Sequence, residues 1–381
     1  MACALPALAL TASKSQLIRG AWIPFWKQIP GIQEITNHLP QFQEISPFSY
    51  EVRLNGTLVD KLKIDEGLWP NWLLAVHDLK IKIIPTIAWF DGDAIHALLK
   101  NTKARQKHED AIAKLVADNK FDGIDIDYES KLAETKNHFS TFIKGLALRL
   151  HPKGKLLTCT IEARMPLKDR YAVIPADTRV ANDYVALNKY CDEVRIMAYD
   201  QGGIDLTLNK SKGVDALYAP VADPVWVEKT IKEALKSIKP SKIMLAVPTY
   251  GYEYEILQTD TQTTYKRLRS HTYLQAMTRA QTVGVTPTRN SAGELSFTYT
   301  TSTSISVSPA LTFITFSATS TSSTSPLATS SATSGIIRFV SFTDAESIAQ
   351  KIKLAKKYKL RGVILFKLDG ETDPALWQNL K

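Results

Sequence analysis

Cysteine is scarce in this sequence. Its three residues, Cys3, Cys159 and Cys191, have no metal-ligand spacing and cannot form a disulfide framework, so zinc-finger and disulfide-stapled scaffolds are excluded. No apolar run approaches the roughly 20 residues needed to cross a bilayer. No block of five or six consecutive basic residues marks a nucleic-acid tail, and no repeat of a solenoid recurs.

What is present is an ordinary globular composition, 44% hydrophobic and 22% charged over 381 residues, enough to bury a large core. One α/β barrel of about 250 residues carrying an insertion fits this length as well as two or three domains do. Lys+Arg 47 against Asp+Glu 38 gives a net charge of +9, which favours anionic partners. The lysines are spread over helical stretches such as 229–239 and 351–359. Solvated helix faces explain them better than a nucleic-acid groove, so no nucleic-acid partner is expected, while an anionic cell-wall polymer stays open. Residues 1–19 begin with an apolar segment, MACALPALAL, that resembles the end of a secretory signal without its basic n-region. A secreted or cell-envelope location is the expectation, and a functionless apolar tail is the competing reading.

Short apolar runs alternate with amphipathic stretches, the pattern of βα units feeding a parallel sheet. Strands are expected at 20–26, 44–50, 81–88, 123–127, 156–162, 193–198, 243–248 and 362–368, and eight is the number that closes a (β/α)₈ TIM barrel. Helices are expected at 66–79, 107–118, 132–150, 180–190, 224–238 and 344–358, the last with Thr343 as N-cap and Glu346 at the capping-box position. The rhythm breaks once. Residues 252–341 form a small α+β insertion between strand seven and its helix, with a short helix near 272–281 and a strand near 295–299. The barrel itself then comprises 20–251 and 342–381. Within the insertion, 22 of the 35 residues in 300–334 are Ser or Thr, a composition that reads as a loop.

The informative segment is FDGIDIDYES, residues 121–130. In a strand alternate side chains share a face, so Asp125, Asp127 and Glu129 point one way and Ile124, Ile126 and Tyr128 the other. Barrel strands are covered on both sides and normally read as apolar runs. Three inward carboxylates break that pattern, and burying them is costly without compensation. At the C-terminal end of a barrel strand such a cluster reads as catalytic. Stacked carboxylates repel, separate in pKa and so provide a general acid near neutrality. An acidic edge strand and a divalent-metal site for phosphoryl chemistry are the competing readings.

At these residues the chain resembles the family 18 glycoside hydrolases, the chitinase-like barrels with the signature D-x-x-D-x-D-x-E. Asp122, Asp125, Asp127 and Glu129 fill its four acid positions. The resemblance recurs at AWIPFW, SPFSYEV, RIMAYD, VPTYGYE and GVILFKLDGE, covering nearly all of 20–381. The first two of these look most similar to the bacterial spore-cortex and cell-wall N-acetylglucosaminidase branch.

The resemblance implies a glycosidase acting on β-1,4-linked N-acetylglucosamine polymer, peptidoglycan or chitin. It needs no metal or other cofactor, and the substrate's own acetamido group takes the nucleophile's place. Glu129 would be the general acid/base, Asp127 would orient the acetamido group, Asp125 would share a proton with Asp127, and Tyr199 would bond the acetamido oxygen. Asp200, Met197 and Tyr250 would line the sugar site, and Asp122 would hold the strand end. Phe366 stands where the family commonly has a Trp floor, offering less ring surface and no N–H. Trp22, Trp26 and Trp89 are candidate sugar platforms, with core packing as the alternative for each. A non-catalytic, lectin-like barrel is the second functional reading; an intact Glu129 favours the enzyme.

Overall fold

The computed structural model describes residues 17–176, 178, 180–213, 216–258, 263–301 and 336–380. The apolar N-terminal segment as far as Gln16, Cys3 within it, and the Ser/Thr-rich stretch beyond Thr301 lie outside the described residues.

In chain order the main strands are β1 (Ile18–Pro24), β2 (Glu44–Val52), β3 (Thr86–Trp89), β4 (Gly123–Tyr128), β5 (Leu156–Glu162), β6 (Glu193–Met197) and β7 (Ile243–Pro248), then β8 (Tyr250–Gln258), β9 (Thr263–Thr272), β10 (Leu295–Thr301), β11 (Ile336–Phe342) and β12 (Gly362–Phe366). Strands β1 to β7 and β12 run parallel, and β1 pairs with both β2 and β12, closing a (β/α)₈ barrel. The expected strand 81–88 is split into Lys82–Ile83 and β3, both on β2, with Pro85 between them lacking a ladder N–H.

The alternation read in β4 is what the barrel uses. On its outer side Tyr128 stacks on Phe142 at 5.5 Å and lies 2.5 Å from Nε2 of His108, which seats the strand under helices Thr102–Asp118 and Lys136–Leu150. Gly123 lets β4 approach β5, because a Cβ there would sit 2.5 Å from the Leu156 carbonyl oxygen. The inner side carries Asp125 and Asp127, both buried.

Between β7 and helix Ala345–Lys357 lies a second, antiparallel sheet in the order β9-β8-β11-β10, with a short two-residue strand at its edge. Helix Tyr273–Thr282 lays Ala276 and Ala280 on Phe297, Val340 and Phe342. The helix that follows, Ala345–Lys357, is capped by Asp344, whose side chain accepts from Ser347 N while Ser347 Oγ accepts from Asp344 N. This corrects the expected Thr343–Glu346 cap. Thr343 Oγ1 is used on the Tyr250 carbonyl, and Glu346 pairs with Arg289.

A second correction concerns cysteine. Cys159 and Cys191 form a disulfide across a Cα separation of 6.2 Å. Cys159 is on the outer side of β5 and Cys191 just before β6, so strand adjacency rather than sequence spacing brings them together.

Candidate active site

Register places the acids in layers. Asp125 is in register with Thr86 of β3 and Thr158 of β5, and paired residues of neighbouring strands turn their side chains to the same face of the sheet. Its Oδ2 accepts from Thr86 Oγ1 at 2.8 Å, and its Oδ1 from Thr158 Oγ1 at 2.8 Å and Thr160 Oγ1 at 2.9 Å. The Thr86 hydroxyl in turn accepts from Trp22 Nε1 at 3.0 Å. The fully buried Arg195 guanidinium lies 3.4 Å from Asp125 Oδ2. Asp125 is thus an acceptor ringed by donors, which suits a buried carboxylate.

One layer up, Asp127 is buried with Oδ1 lacking a hydrogen-bond partner. Burial, then the charges of Glu129 and Asp125, push its carboxyl well above the usual range. Glu129 follows at the strand's end, held by its backbone N–H on the Trp89 carbonyl at 2.8 Å. Its carboxyl is pushed up to about 7, first by burial and then by the Glu162 charge, with Lys131 opposing and Asp200 adding. An acid in that range can give and take a proton near neutrality.

Asp200 has φ +59, in the left-handed region just past β6. Its Oδ1 accepts from Tyr250 Oη at 2.6 Å and Tyr252 Oη at 2.7 Å. Tyr199 is buried and stacks on Phe366 at 5.2 Å with 14° between the rings, while Tyr250 meets both edge-on at 6.1 Å. Asp200, Tyr250, Tyr252, Phe366, Arg267 and Trp26 line a cavity of about 320 Å³. A second cavity of about 510 Å³ opens at the end of β5, around Lys131, Glu162 and Arg164. Asp200 lines the first and Glu162 the second, and the charge of each raises the Glu129 carboxyl.

A model of the family described as "Glycosyl hydrolases family 18" matches residues 74–371. The chain belongs to that family. It is a glycosidase. Among curated relatives it is 22% identical over 292 residues to the uncharacterized glycosylase YvbX of Bacillus subtilis (strain 168), a match covering 77% of this chain and 70% of that protein. It is also 22% identical over 222 residues to the cortical fragment-lytic enzyme of Bacillus anthracis, covering 57% of this chain and 47% of the relative. The barrel resembles the crystal structure of a chitinase from Chromobacterium violaceum, with TM-score 0.70, 21% identity and coverage of 96% and 98% of the two chains. It also resembles the spore cortex-lytic enzyme SleL of Bacillus megaterium QM B1551, with TM-score 0.69, 18% identity and coverage of 96% and 73%. The chain spans about half the length of the cortical fragment-lytic relative.

In this family 18 barrel, Asp127, Asp200 and Tyr199 are near enough to Glu129 for their charges to interact, Asp125 adjoins Asp127, Tyr250 and Phe366 join the group through Asp200 and Tyr199, and Met197 is half-buried at the end of β6. Asp122 stands apart, its Oδ2 accepting from Ile83 N at 2.8 Å. The three tryptophans separate. Trp26 is 47% exposed at the rim of the first cavity, whereas Trp22 and Trp89 are buried. Trp22 lies edge-on beneath Phe366 at 5.7 Å and Trp89 edge-on to Tyr128 at 5.4 Å, so neither offers a free face and Trp22 acts as a support. Sequence reasoning missed Glu162, Lys131, Arg195 and the threonines. The signal existed in part: Thr158, Thr160 and Glu162 alternate along β5 as the acids do along β4, marking a second polar inner face.

Proposed function

We propose that this glycosidase cleaves β-1,4 bonds of an N-acetylglucosamine-containing polymer, peptidoglycan or chitin, with retention and with assistance from the substrate's acetamido group. The carrying observation is the inward row on β4: Asp125 saturated by donors, Asp127 with an unpartnered oxygen, and Glu129 with its carboxyl raised to about 7. Glu129 protonates the glycosidic oxygen as the acetamido oxygen attacks the anomeric carbon, giving an oxazolinium ion and a free leaving hydroxyl. It then takes a proton from the water that opens this ion. Asp127 accepts the acetamido N–H on its free oxygen, and Asp125 tunes Asp127 by its charge. Tyr199 donates to the acetamido oxygen. Asp200 and Tyr250 hold sugar hydroxyls above the Phe366 ring, and Trp26 extends the apolar wall. A cell-envelope or extracellular location accords with the disulfide, since such bonds persist in oxidising compartments, and with a net charge of +9 suited to anionic wall polymers.

The test is hydrolysis of a chromogenic N-acetylglucosamine oligomer series and of purified peptidoglycan, with products identified by mass. Glu129→Gln lowers turnover by at least roughly a hundredfold while oligomer binding persists; unchanged turnover removes Glu129 from the mechanism. Chelation by EDTA leaves the rate unaltered, and a strong loss would restore the metal reading.

A further inference from the structure

The segment that leaves β6 carries Asp200 near its start and ends at Asp223, the N-cap of helix Pro224–Ala234. Its two ends are tied together. Gln201 N donates to the Val221 carbonyl at 3.0 Å and Gly202 N to the Pro220 carbonyl at 2.9 Å. Asp223 N donates to Gln201 Oε1 at 2.8 Å, and Gln201 Nε2 donates to Tyr218 Oη at 3.0 Å. The neighbour of Gln201 in the chain is Asp200, held at φ +59. A side chain in the left-handed region costs stability and persists where its surroundings fix it.

The far end of this segment is fixed from the second sheet. Glu294, buried in the turn before β10, accepts from Ala222 N at 2.7 Å on Oε1 and from Val221 N at 3.0 Å on Oε2. Ser341 Oγ of β11 donates to the same Oε2 at 2.8 Å, and the turn itself is held by Asn290, whose Oδ1 accepts from Glu294 N at 3.0 Å. Lys351, buried and without a hydrogen-bond partner, lies near enough to Glu294 and Asp223 for their charges to act on it. An amide has only one acceptor oxygen and could not serve both backbone N–H groups in this way. The second sheet therefore grips Asp200 twice: Tyr250 and Tyr252 of β8 donate to its side chain, and Glu294 secures the segment on which it sits.

We infer that Glu294 is a positioning residue for the reaction: by clamping Val221 and Ala222 it keeps Gln201, and with it Asp200, where the sugar needs them. This rests on the glycosidase reading above, in which Asp200 holds a sugar hydroxyl. Glu294 touches no substrate. It makes the second sheet a working part of the active site rather than a wall beside it.

The experiment is a double-mutant cycle of Glu294→Gln with Asp200→Asn, read as kcat/KM on soluble N-acetylglucosamine oligomers and solubilised peptidoglycan, and as affinity for each by calorimetry. Glu294→Gln lowers kcat/KM by about tenfold in the parent, as misplacement of a substrate-holding group does, and by less than about twofold where Asp200 is already Asn. Equal losses in the two backgrounds, or none in the parent, overturn the inference. Gln201→Met frees the same segment from the barrel side and takes the place of Glu294→Gln in the cycle if that variant does not fold. The pH profile adds a readout that a general loss of stability does not move. Glu129 is faced by Asp127, Glu162, Lys131, Tyr199 and Asp200, and a displaced Asp200 no longer helps to hold its proton, so the alkaline limb moves to lower pH in Glu294→Gln; an unmoved limb overturns the inference too. A parent that binds these glycans without cleaving them defeats the glycosidase reading, and the cycle on affinity then decides the inference by the same two outcomes. A parent that neither binds nor cleaves them defeats both.

Discussion

Glu129 keeps its proton near neutral pH because two causes act together. Burial disfavours the carboxylate, and Glu162 places a like charge nearby. Replacing Glu162 by Gln removes the second cause and frees Lys131 to favour the charged form, so the carboxyl of Glu129 falls below about 7. The acid must be protonated to act, so the alkaline limb of the kcat/KM profile moves to lower pH in Glu162→Gln; a limb that stays in place would remove Glu162 from the tuning. Phe366 is the other instructive residue. Its ring lies flat on Tyr199 and is propped edge-on by Trp22, so a smaller floor is held rigidly by neighbours that sequence order does not link.

At the scale of elements, β4 and β5 work as a pair. Each turns an apolar row outward and a polar row inward, and the register sets Asp125 level with Thr158. The link to β6 is reinforced by the Cys159–Cys191 bond, which closes a separation of 32 residues. Removing a native bridge of this kind costs about 2–4 kcal/mol. Cys191→Ala is accordingly expected to lower the thermal midpoint while leaving kcat near that of the parent, since neither sulfur faces the cleft; an unchanged midpoint would mean the bond contributes nothing to stability. The insertion works at this scale too, since its first strand brings Tyr250 and Tyr252 to Asp200.

At the scale of the whole molecule, closure of the barrel buries an ionic layer beneath the acids. Arg195 donates to Ser46 Oγ at 2.7 Å and lies 3.4 Å from Glu44 and 3.6 Å from Glu193, while Arg361 meets Glu193 at 2.7 Å. Burial and the Glu193 charge push Glu44 up to about 8. Arg195→Met leaves Glu44, Glu193 and Asp125 without their central cation, a loss expected to cost about 3–5 kcal/mol. Chemical denaturation measures it, and a neutral result would show that the remaining protons redistribute to compensate.

The order of side chains alone was enough to read eight strands, the inward acids of β4, the interruption after β7 and the family signature, because period-two alternation and turn residues are local properties of the chain. The split of the third strand at Pro85, the cap at Asp344 and the Cys159–Cys191 bond were settled only by folding, as were the assembly of Glu162, Lys131 and Arg164 beside Glu129 and the burial of Arg195. The disulfide, the group beside Glu129 and the burial of Arg195 depend on which strands become neighbours and at what register, and contacts between residues far apart in sequence leave no periodic trace in it, whereas the cap at Asp344 and the break at Pro85 are local choices among several turn and cap residues that the sequence offers.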